Sequence, residues 1–192
     1  LAALIDGEPI RFAVIDAGTN SIKFHIGERE RDGKWRTVVD RAEMTRLGEG
    51  LEQNGVIADA ALERTVVAIA DMIDEAKRHA VLATAAVGTA GLRIASNRDT
   101  VLAAIETRTG VRIDVISGDE EGRLAYVAAT SGLGLSAGSL VVFDTGGGSS
   151  QFTFGHDSSV DERFSVNVGA VRYTERYKLD GVVSTAVLNE AM

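Results

Sequence analysis

Short apolar stretches recur along the chain, and in "SIKFHIG" apolar and polar residues alternate; both patterns predict β-strands. The predicted strands lie at residues 11–16, 21–27, 80–87 and 111–117, and a second strand pair lies at 140–155. Each stretch is bounded by glycine, serine, asparagine or aspartate, which are the usual residues of turns. The chain is therefore expected to contain several short strands.

A helical period separates these strands. From Asp59 to His79 the apolar residues recur every three or four positions and fall on one face, with Asp59 placed to cap the start. A shorter helix is predicted from about Asn97 to Thr109. A third begins in the acidic run "GDEEGR" and ends at Gly132. Strands that alternate with helices predict an α/β fold.

Two strand–turn–strand units have the same layout. The first is "RFAVIDAGTNSIKFHIGE" (11–28), and the second is "LVVFDTGGGSSQFTFG" (140–155). The matching pairs are Asp16 with Asp144, Gly18 with Gly146, Ser21 with Ser149, Phe24 with Phe152, and Gly27 with Gly155. The match predicts two related domains, residues 1–130 and residues 131–192, with a boundary within 131–139.

The two turns have the chemistry of an anion site. Successive backbone N–H groups after a strand form a cradle for an anion, and glycine lets the backbone approach a phosphate and permits positive φ. Carboxylates beside a phosphate repel it unless a cation lies between, so Asp16 and Asp144 imply Mg²⁺. Neither a P-loop nor a GxGxxG pattern is present. The alternative is a pair of tight hairpin turns that bind nothing.

Composition and charge narrow the classes of function. The chain has 192 residues, 45% of them hydrophobic, which is enough for a sizeable core. Its net charge of −8 argues against nonspecific binding to nucleic acid or to an anionic membrane. With no cysteine, no signal-peptide pattern and no apolar run of about 20 residues, a cytoplasmic protein is expected.

Six segments, in this order, resemble the exopolyphosphatase / guanosine pentaphosphate phosphohydrolase family, within the superfamily of actin, heat-shock chaperones and sugar kinases. They are "IDAGTNS", "RLGEGL", "GTAGLRIASN", "VISGDEEGRLAY", "FDTGGGSS" and "VNVGAVRYTE". The resemblance implies ribonuclease H-like, actin-like duplicated domains with mixed sheets flanked by helices, the second apparently incomplete. It also implies a Mg²⁺-dependent phosphohydrolase acting on polyphosphate or on guanosine penta- or tetraphosphate, with a homodimer as a possible assembly.

The family's functional residues carry over to positions in this chain. Its catalytic glutamate falls on Glu121, and Asp16 and Asp144 fall on metal-binding positions. Glu120 and Glu121 point about 100° apart on a helix, so only one of them can face a single site. The phosphate-binding positions are Gly18, Thr19, Asn20, Ser21, Arg93, Gly146, Gly147, Gly148 and Ser149.

The sequence departs from the family at Gln151, where the usual residue is a glutamate thought to help hold the metal. A neutral amide keeps the size but loses the charge, so a weaker effect on binding than on catalysis is expected. Two other functions therefore stay open: a noncatalytic module that binds polyphosphate or guanosine alarmones, and a kinase-like ATPase. The residues do not discriminate between polyphosphate and guanosine pentaphosphate.

Overall fold

A computed structural model of the protein describes residues 9–132 and 137–192. The first sheet has five strands in the order β3-β2-β1-β4-β5, in which β1 is antiparallel to β2 and parallel to β4. The strands are β1 (Ile10–Ala17), β2 (Ile22–Arg29), β3 (Trp35–Glu43), β4 (Ala83–Gly88) and β5 (Asp114–Val115). The helices of this part are α1 (Leu51–Asn54), α2 (Asp59–Arg78), α3 (Ala90–Ile94) and α4 (Arg98–Thr109).

One face of this sheet holds the hydrophobic core. Alternate residues of β1, such as Ala13 and Ile15, are buried, as is Phe24 of β2. Ile69 and Met72 of the amphipathic helix α2 belong to the same buried cluster. The period of two in the strands and of 3.6 in the helix therefore meet on a single apolar layer, which fixes the position of the strand ends.

A second sheet is smaller and entirely antiparallel. Its order is β6-β7-β8, made of β6 (Ser139–Thr145), β7 (Ser150–His156) and β8 (Ser159–Val166). The remaining helices are α5 (Gly118–Gly132), α6 (Ala170–Tyr177) and α7 (Thr185–Ala191). Helix α5 packs across all three strands of this sheet.

Two glycines let α5 lie close to the second sheet. A Cβ on Gly118 would come within 2.5 Å of the Ser165 Cβ, and one on Gly122 within 2.8 Å of the Thr153 Oγ1. Both distances are shorter than side chains tolerate, so alanine at either position would push the helix away. Because they lie four residues apart, these glycines share the face that meets the strands.

The α/β class and the mixed sheet flanked by helices are confirmed. The predicted long helix is α2 and the predicted acidic helix is α5. The prediction that Asp59 caps this helix is wrong, because Ala58 holds the N-cap position of α2 and Asp59 lies in its first turn. Of the strand predicted at 111–117, only Asp114–Val115 forms a β-strand.

Two short helices, α1 and α3, lie in glycine-punctuated segments where the sequence predicted none. The domain division at residues 130 and 131 stays a prediction. It falls in the last turn of α5, and residues 133–136 of the expected boundary lie outside the described residues. Of the helices in the described ranges, none has the length and apolar character needed to span a bilayer.

Candidate active site

The two repeated turns have the same backbone hydrogen bond. In the first turn the Gly18 N–H donates to the Ser21 carbonyl at 3.1 Å, and in the second the Gly146 N–H donates to the Ser149 carbonyl at 2.9 Å. Each turn joins an antiparallel strand pair, β1 to β2 and β6 to β7. The repeat in the sequence is therefore a repeat in backbone conformation.

The two turns pack against each other, which explains the glycines of the second. A Cβ on Gly148 would lie 2.7 Å from the Thr19 Oγ1 and 2.9 Å from the Ala90 Cβ, and one on Gly147 would lie 3.2 Å from the Asn20 Cβ. Residues 18 and 146–148 all belong to the described part of the chain, and none has a positive φ. The close approach of the first turn, and not a positive φ, therefore accounts for Gly147 and Gly148.

A cleft of about 550 Å³ opens where the turns meet. Its wall brings together the predicted site residues Asp16, Gly18, Thr19, Asn20, Ser21, Glu121, Asp144, Gly146, Gly147, Gly148 and Ser149. These come from β1, β6, both turns and α5, which are far apart in the chain. Arg93 reaches the same region through a hydrogen bond to the Ser149 Oγ at 3.2 Å.

Glu121 is held at the cleft by an arginine. Its Oε2 accepts a hydrogen bond from Arg93 Nη1 at 2.8 Å, and both side chains are about one-fifth exposed. Burial raises the pKa of the Glu121 carboxyl, the Arg93 charge lowers it, and the nearby charges of Asp16 and Asp144 raise it again. The net effect is a pKa above the ordinary value, which makes the ionised carboxylate a better proton acceptor.

Adjacent glutamates have different environments, as the helical geometry predicted. Glu120 forms a two-point ion pair with Arg123 one turn along α5, at 2.7 and 2.9 Å, whereas Glu121 lines the cleft. The N–H of Glu120 donates to the Ser117 Oγ at 3.1 Å. Only one of the two carboxylates is therefore available for chemistry in the cleft.

Arg93 connects helix α5 to the second turn, because it donates hydrogen bonds to both Glu121 and Ser149. Besides Glu121 and Ser149, its Nη1 donates to the carbonyl of Ile116 at 3.0 Å. The sequence predicted an arginine that contacts phosphate, and its phosphate role stays a prediction. The structure adds that the same guanidinium orients the catalytic candidate, an arrangement that no local sequence pattern indicates.

Asp16 has the features of a cation ligand. Its Oδ1 is buried without a hydrogen-bond partner, and Lys23 Nζ lies 3.7 Å from its Oδ2. Burial raises the pKa of this carboxyl, as does the charge of Asp144, while Lys23 lowers it. Two carboxylates that line one cleft, one of them with an oxygen that has no hydrogen-bond partner, fit a hard cation with oxygen ligands.

Within residues 9–132 and 137–192, no group of three or more His, Cys, Asp or Glu side chains is arranged as a metal site. Mg²⁺ usually binds through one or two carboxylates and completes its shell with water and substrate phosphates. The residues Asp16 and Asp144 therefore fit Mg²⁺ as a partner of a bound phosphate.

Charged side chains also join α6 to α1 beside the cleft. Arg172 Nε lies 2.6 Å from Glu52 Oε2, and Arg176 pairs with the other oxygen of Glu52. The Gly50 N–H donates to Glu175 Oε1 at 2.9 Å. Sequence reasoning gave no role to Arg172, because its partner lies 120 positions away in the chain and only the fold brings them together.

The comparisons with known proteins agree on one family. A model of the family described as Ppx/GppA phosphatase matches residues 28–192. The chain is 33% identical over 174 residues to exopolyphosphatase 2 of Mycobacterium tuberculosis, covering 86% of this chain and 54% of that protein. It is 32% identical over 180 residues to a bifunctional 3-dehydroquinate synthase/phosphatase of Fusobacterium nucleatum, covering 88% of this chain and 26% of that protein.

A solved structure agrees. The crystal structure of the Ppx/GppA family member from Aquifex aeolicus superposes with a TM-score of 0.77 at 30% identity, covering 88% of this chain and 55% of that one. The chain thus spans about half the length, or less, of the relatives it matches. The match over most of this chain, together with the paired turns, shows that it belongs to the Ppx/GppA phosphatase family.

Proposed function

We propose that this protein removes the terminal phosphate from a chain of phosphates joined by anhydride bonds, with inorganic polyphosphate or guanosine pentaphosphate as the substrate. The observation that carries this proposal is the meeting of two glycine turns and a partly buried carboxylate, Glu121, in one cleft. Turn N–H groups suit phosphate oxygens, and a raised pKa suits a general base.

The chemistry assigned to Glu121 is proton acceptance. Water attacks the terminal phosphorus in line with the bridging oxygen, a new P–O bond forms, and the anhydride bond breaks. The carboxylate takes the proton of the attacking water, and the shortened phosphate chain leaves with the bridging oxygen. Arg93 keeps the carboxylate in place through its 2.8 Å hydrogen bond.

The proposal includes Mg²⁺, which Asp16 and Asp144 would hold. Bound Mg²⁺ supplies positive charge that offsets the negative charge of the phosphates and of the two carboxylates. Lys23, which lines the cleft, and the turn N–H groups other than those of Gly18 and Gly146, which bond within the turns, are further positive groups near the phosphates. They make the site locally attractive to an anion, although the net charge of the chain is −8.

The names of relatives support a phosphatase, and for two of them an exopolyphosphatase. Because the chain spans about half of those proteins, the activity and the choice of substrate are proposals for this chain. A homodimer and a cytoplasmic location also stay predictions.

Phosphate release by the Glu121→Gln variant tests the proposal. We expect turnover of polyphosphate to fall at least about 100-fold, because an amide cannot accept the proton of water, while binding of polyphosphate to the variant persists. The matched control is Glu120→Gln, on the adjacent residue paired with Arg123 outside the cleft. Full activity of Glu121→Gln, or equal losses in both variants, would overturn the role of Glu121.

A binding module without catalysis is the second candidate, favoured by Gln151 in place of the usual glutamate. It predicts that polyphosphate raises the melting temperature and that no phosphate is released under any condition with Mg²⁺. Release that depends on Glu121 would exclude it.

A further inference from the structure

Gln151 occupies the interior of the site and not the position of a surface amide. It lies on β7, is 1% exposed, and faces helix α5. A Cβ on Gly122 of that helix would meet the Cβ and Cγ of Gln151 at 3.4 and 3.7 Å. The close helix therefore confines the stem of the Gln151 side chain, so its amide has little freedom to leave.

The amide nitrogen of Gln151 lies near three acceptors. Its Nε2 is 2.7 Å from the Ser149 Oγ, 3.2 Å from the Ser165 Oγ and 3.2 Å from Glu121 Oε2. The amide oxygen is buried and has no hydrogen-bond partner. Turning the amide over would place that oxygen against the carboxylate of Glu121, which has only acceptors when ionised. The charge of Glu121 therefore selects the orientation in which the amide N–H of Gln151 points at the Glu121 carboxylate.

Two donors converge on the same oxygen of Glu121. Arg93 Nη1 and Gln151 Nε2 both reach Oε2. The hydrogen bonds described for this carboxylate thus leave Oε1 to accept a proton. A carboxylate fixed through one oxygen by two N–H groups has its other oxygen in a defined place, and accurate placement of a base is a large part of such catalysis.

We propose that Gln151 is a positioning residue for Glu121: its N–H, together with that of Arg93, holds one carboxylate oxygen so that the other faces the attacking water. Its rate readout rests on the proposed phosphohydrolase function. Position 151 therefore holds a hydrogen-bond donor to Glu121. It does not hold a metal ligand that has been weakened by replacing a carboxylate with an amide.

Charge explains why an amide serves this task better than a carboxylate. Asp16 on β1 and Asp144 on β6 already place negative charge near Glu121, and Arg93 on α3 is the positive charge in direct contact with it. A glutamate at position 151 would add a third carboxylate near Glu121, and this one would lie within hydrogen-bond distance of it. Like charges so close cannot all remain ionised in a partly buried site.

The kinetic test compares Gln151→Met and Gln151→Glu with wild type. Methionine keeps the length but donates no hydrogen bond, so we expect kcat to fall about tenfold and KM to change less than about twofold, because one of the two donors that fix the Glu121 carboxylate is lost. Gln151→Glu is expected to lower kcat further. It should also move the acid limb of the pH profile of kcat to higher pH. The control is Gln53→Glu, on an exposed residue of α1.

A second measurement needs no turnover. The pH titration of the Glu121 carboxyl carbon, followed by NMR in folded, metal-free protein, is expected to show a higher pKa in Gln151→Met than in wild type, because the donor to the ionised form is gone. An unchanged Glu121 titration, or a loss in KM alone, would overturn the positioning role. If wild type releases no phosphate, the proposed function fails. The titration of Glu121 then tests by itself whether Gln151 positions that carboxylate.

Discussion

The two strand–turn–strand units share one turn but bury opposite faces of their sheets. In the first unit Phe24 points into the core beneath α2, and its neighbour Lys23 is exposed. At the matching positions of the second unit, Phe152 lies on the face away from α5, and its neighbour Gln151 is buried beneath that helix. Equivalent residues therefore have inverted environments.

This inversion explains how one repeated motif supplies two different parts of a site. Because α5 covers the Gln151 face of the second sheet, it carries Glu121 to the second turn. The first sheet leaves the corresponding face open, and there Asp16 and Lys23 meet the cleft. The repeated turn thus fixes the conformation of the backbone cradle. The face of each sheet that a helix covers determines which side chains lie beside the turn.

The largest expected effect comes from deleting the matched phenylalanines. Phe24 is fully buried, so Phe24→Ala should cost about 3–5 kcal/mol of unfolding free energy. Phe152 packs against Phe143 and Phe164, with ring centroids 4.6 and 5.1 Å away, but on an open face. Phe152→Ala should cost about 1–2 kcal/mol, since only part of the ring surface is removed from water.

Urea unfolding of both variants measures this contrast. Equal losses would show that the Phe152 face is covered in the folded protein, and the comparison of the two sheets would then fail. Phe143→Ala is a useful third variant, because Phe143 is 60% exposed and should change stability by less than Phe152→Ala.

The second expected effect concerns the contact between the turns. Gly148→Ala would place a methyl 2.7 Å from the Thr19 Oγ1 and should cost about 1–3 kcal/mol through overpacking. At the matched control Gly146→Ala, the nearest atom is the Ser149 carbonyl oxygen at 3.4 Å, so stability should change little.

Thermal unfolding separates these two substitutions. A smaller loss in Gly148→Ala than in Gly146→Ala would contradict the close packing of the two turns. The expected order also tests the inference that steric closeness, and not positive φ, selects glycine at position 148.

Much of the fold follows from local patterns. The apolar run of β1 and the helical period of α2 predict their burial, and the matched spacing of Asp16 and Asp144 predicts a shared site. Adjacent Glu120 and Glu121 could be separated by helical geometry alone. The predictions for the strand, the helix and the two glutamates succeed because each depends on residues a few positions apart, and that for Asp16 and Asp144 succeeds because a local motif is repeated.

The rest depends on contacts that link distant parts of the chain. No periodicity shows that α5 lies on the second sheet or that Gln151 reaches Glu121, 30 positions earlier. Arg93 and Ser149 lie 56 positions apart, and their hydrogen bond depends on the packing of both units. Gly118 and Gly122 carry a weak signal, since a pair of glycines four apart in a helix indicates a close neighbour.

The smallest expected effect lies at the far edge of the second sheet. The His156 ring accepts or donates hydrogen bonds to Ser139 at 2.8 Å and to Asp161 at 2.6 Å. The hydrogen bond and charge of Asp161 raise the pKa of His156 in the folded state. The resulting stabilisation is fully present below the unfolded pKa of about 6.5 and is lost as pH rises through the higher folded value.

Asp161→Asn should therefore lower the melting temperature more at pH 5.5 than at pH 9. The matched control on the first sheet is Asp40→Asn, whose partner His25 lies 3.8 Å away, too far for a hydrogen bond. A pH-independent effect of Asp161→Asn would show that the ion pair contributes nothing to the second sheet.

The most direct test of the central claim is phosphate release from long-chain polyphosphate by wild-type protein, measured with Mg²⁺ and with Mg²⁺ removed by a chelator. Two turns, two carboxylates and Glu121 in one cleft predict release of single phosphates that requires Mg²⁺. Folded protein that releases no phosphate under either condition would contradict a catalytic site in this chain.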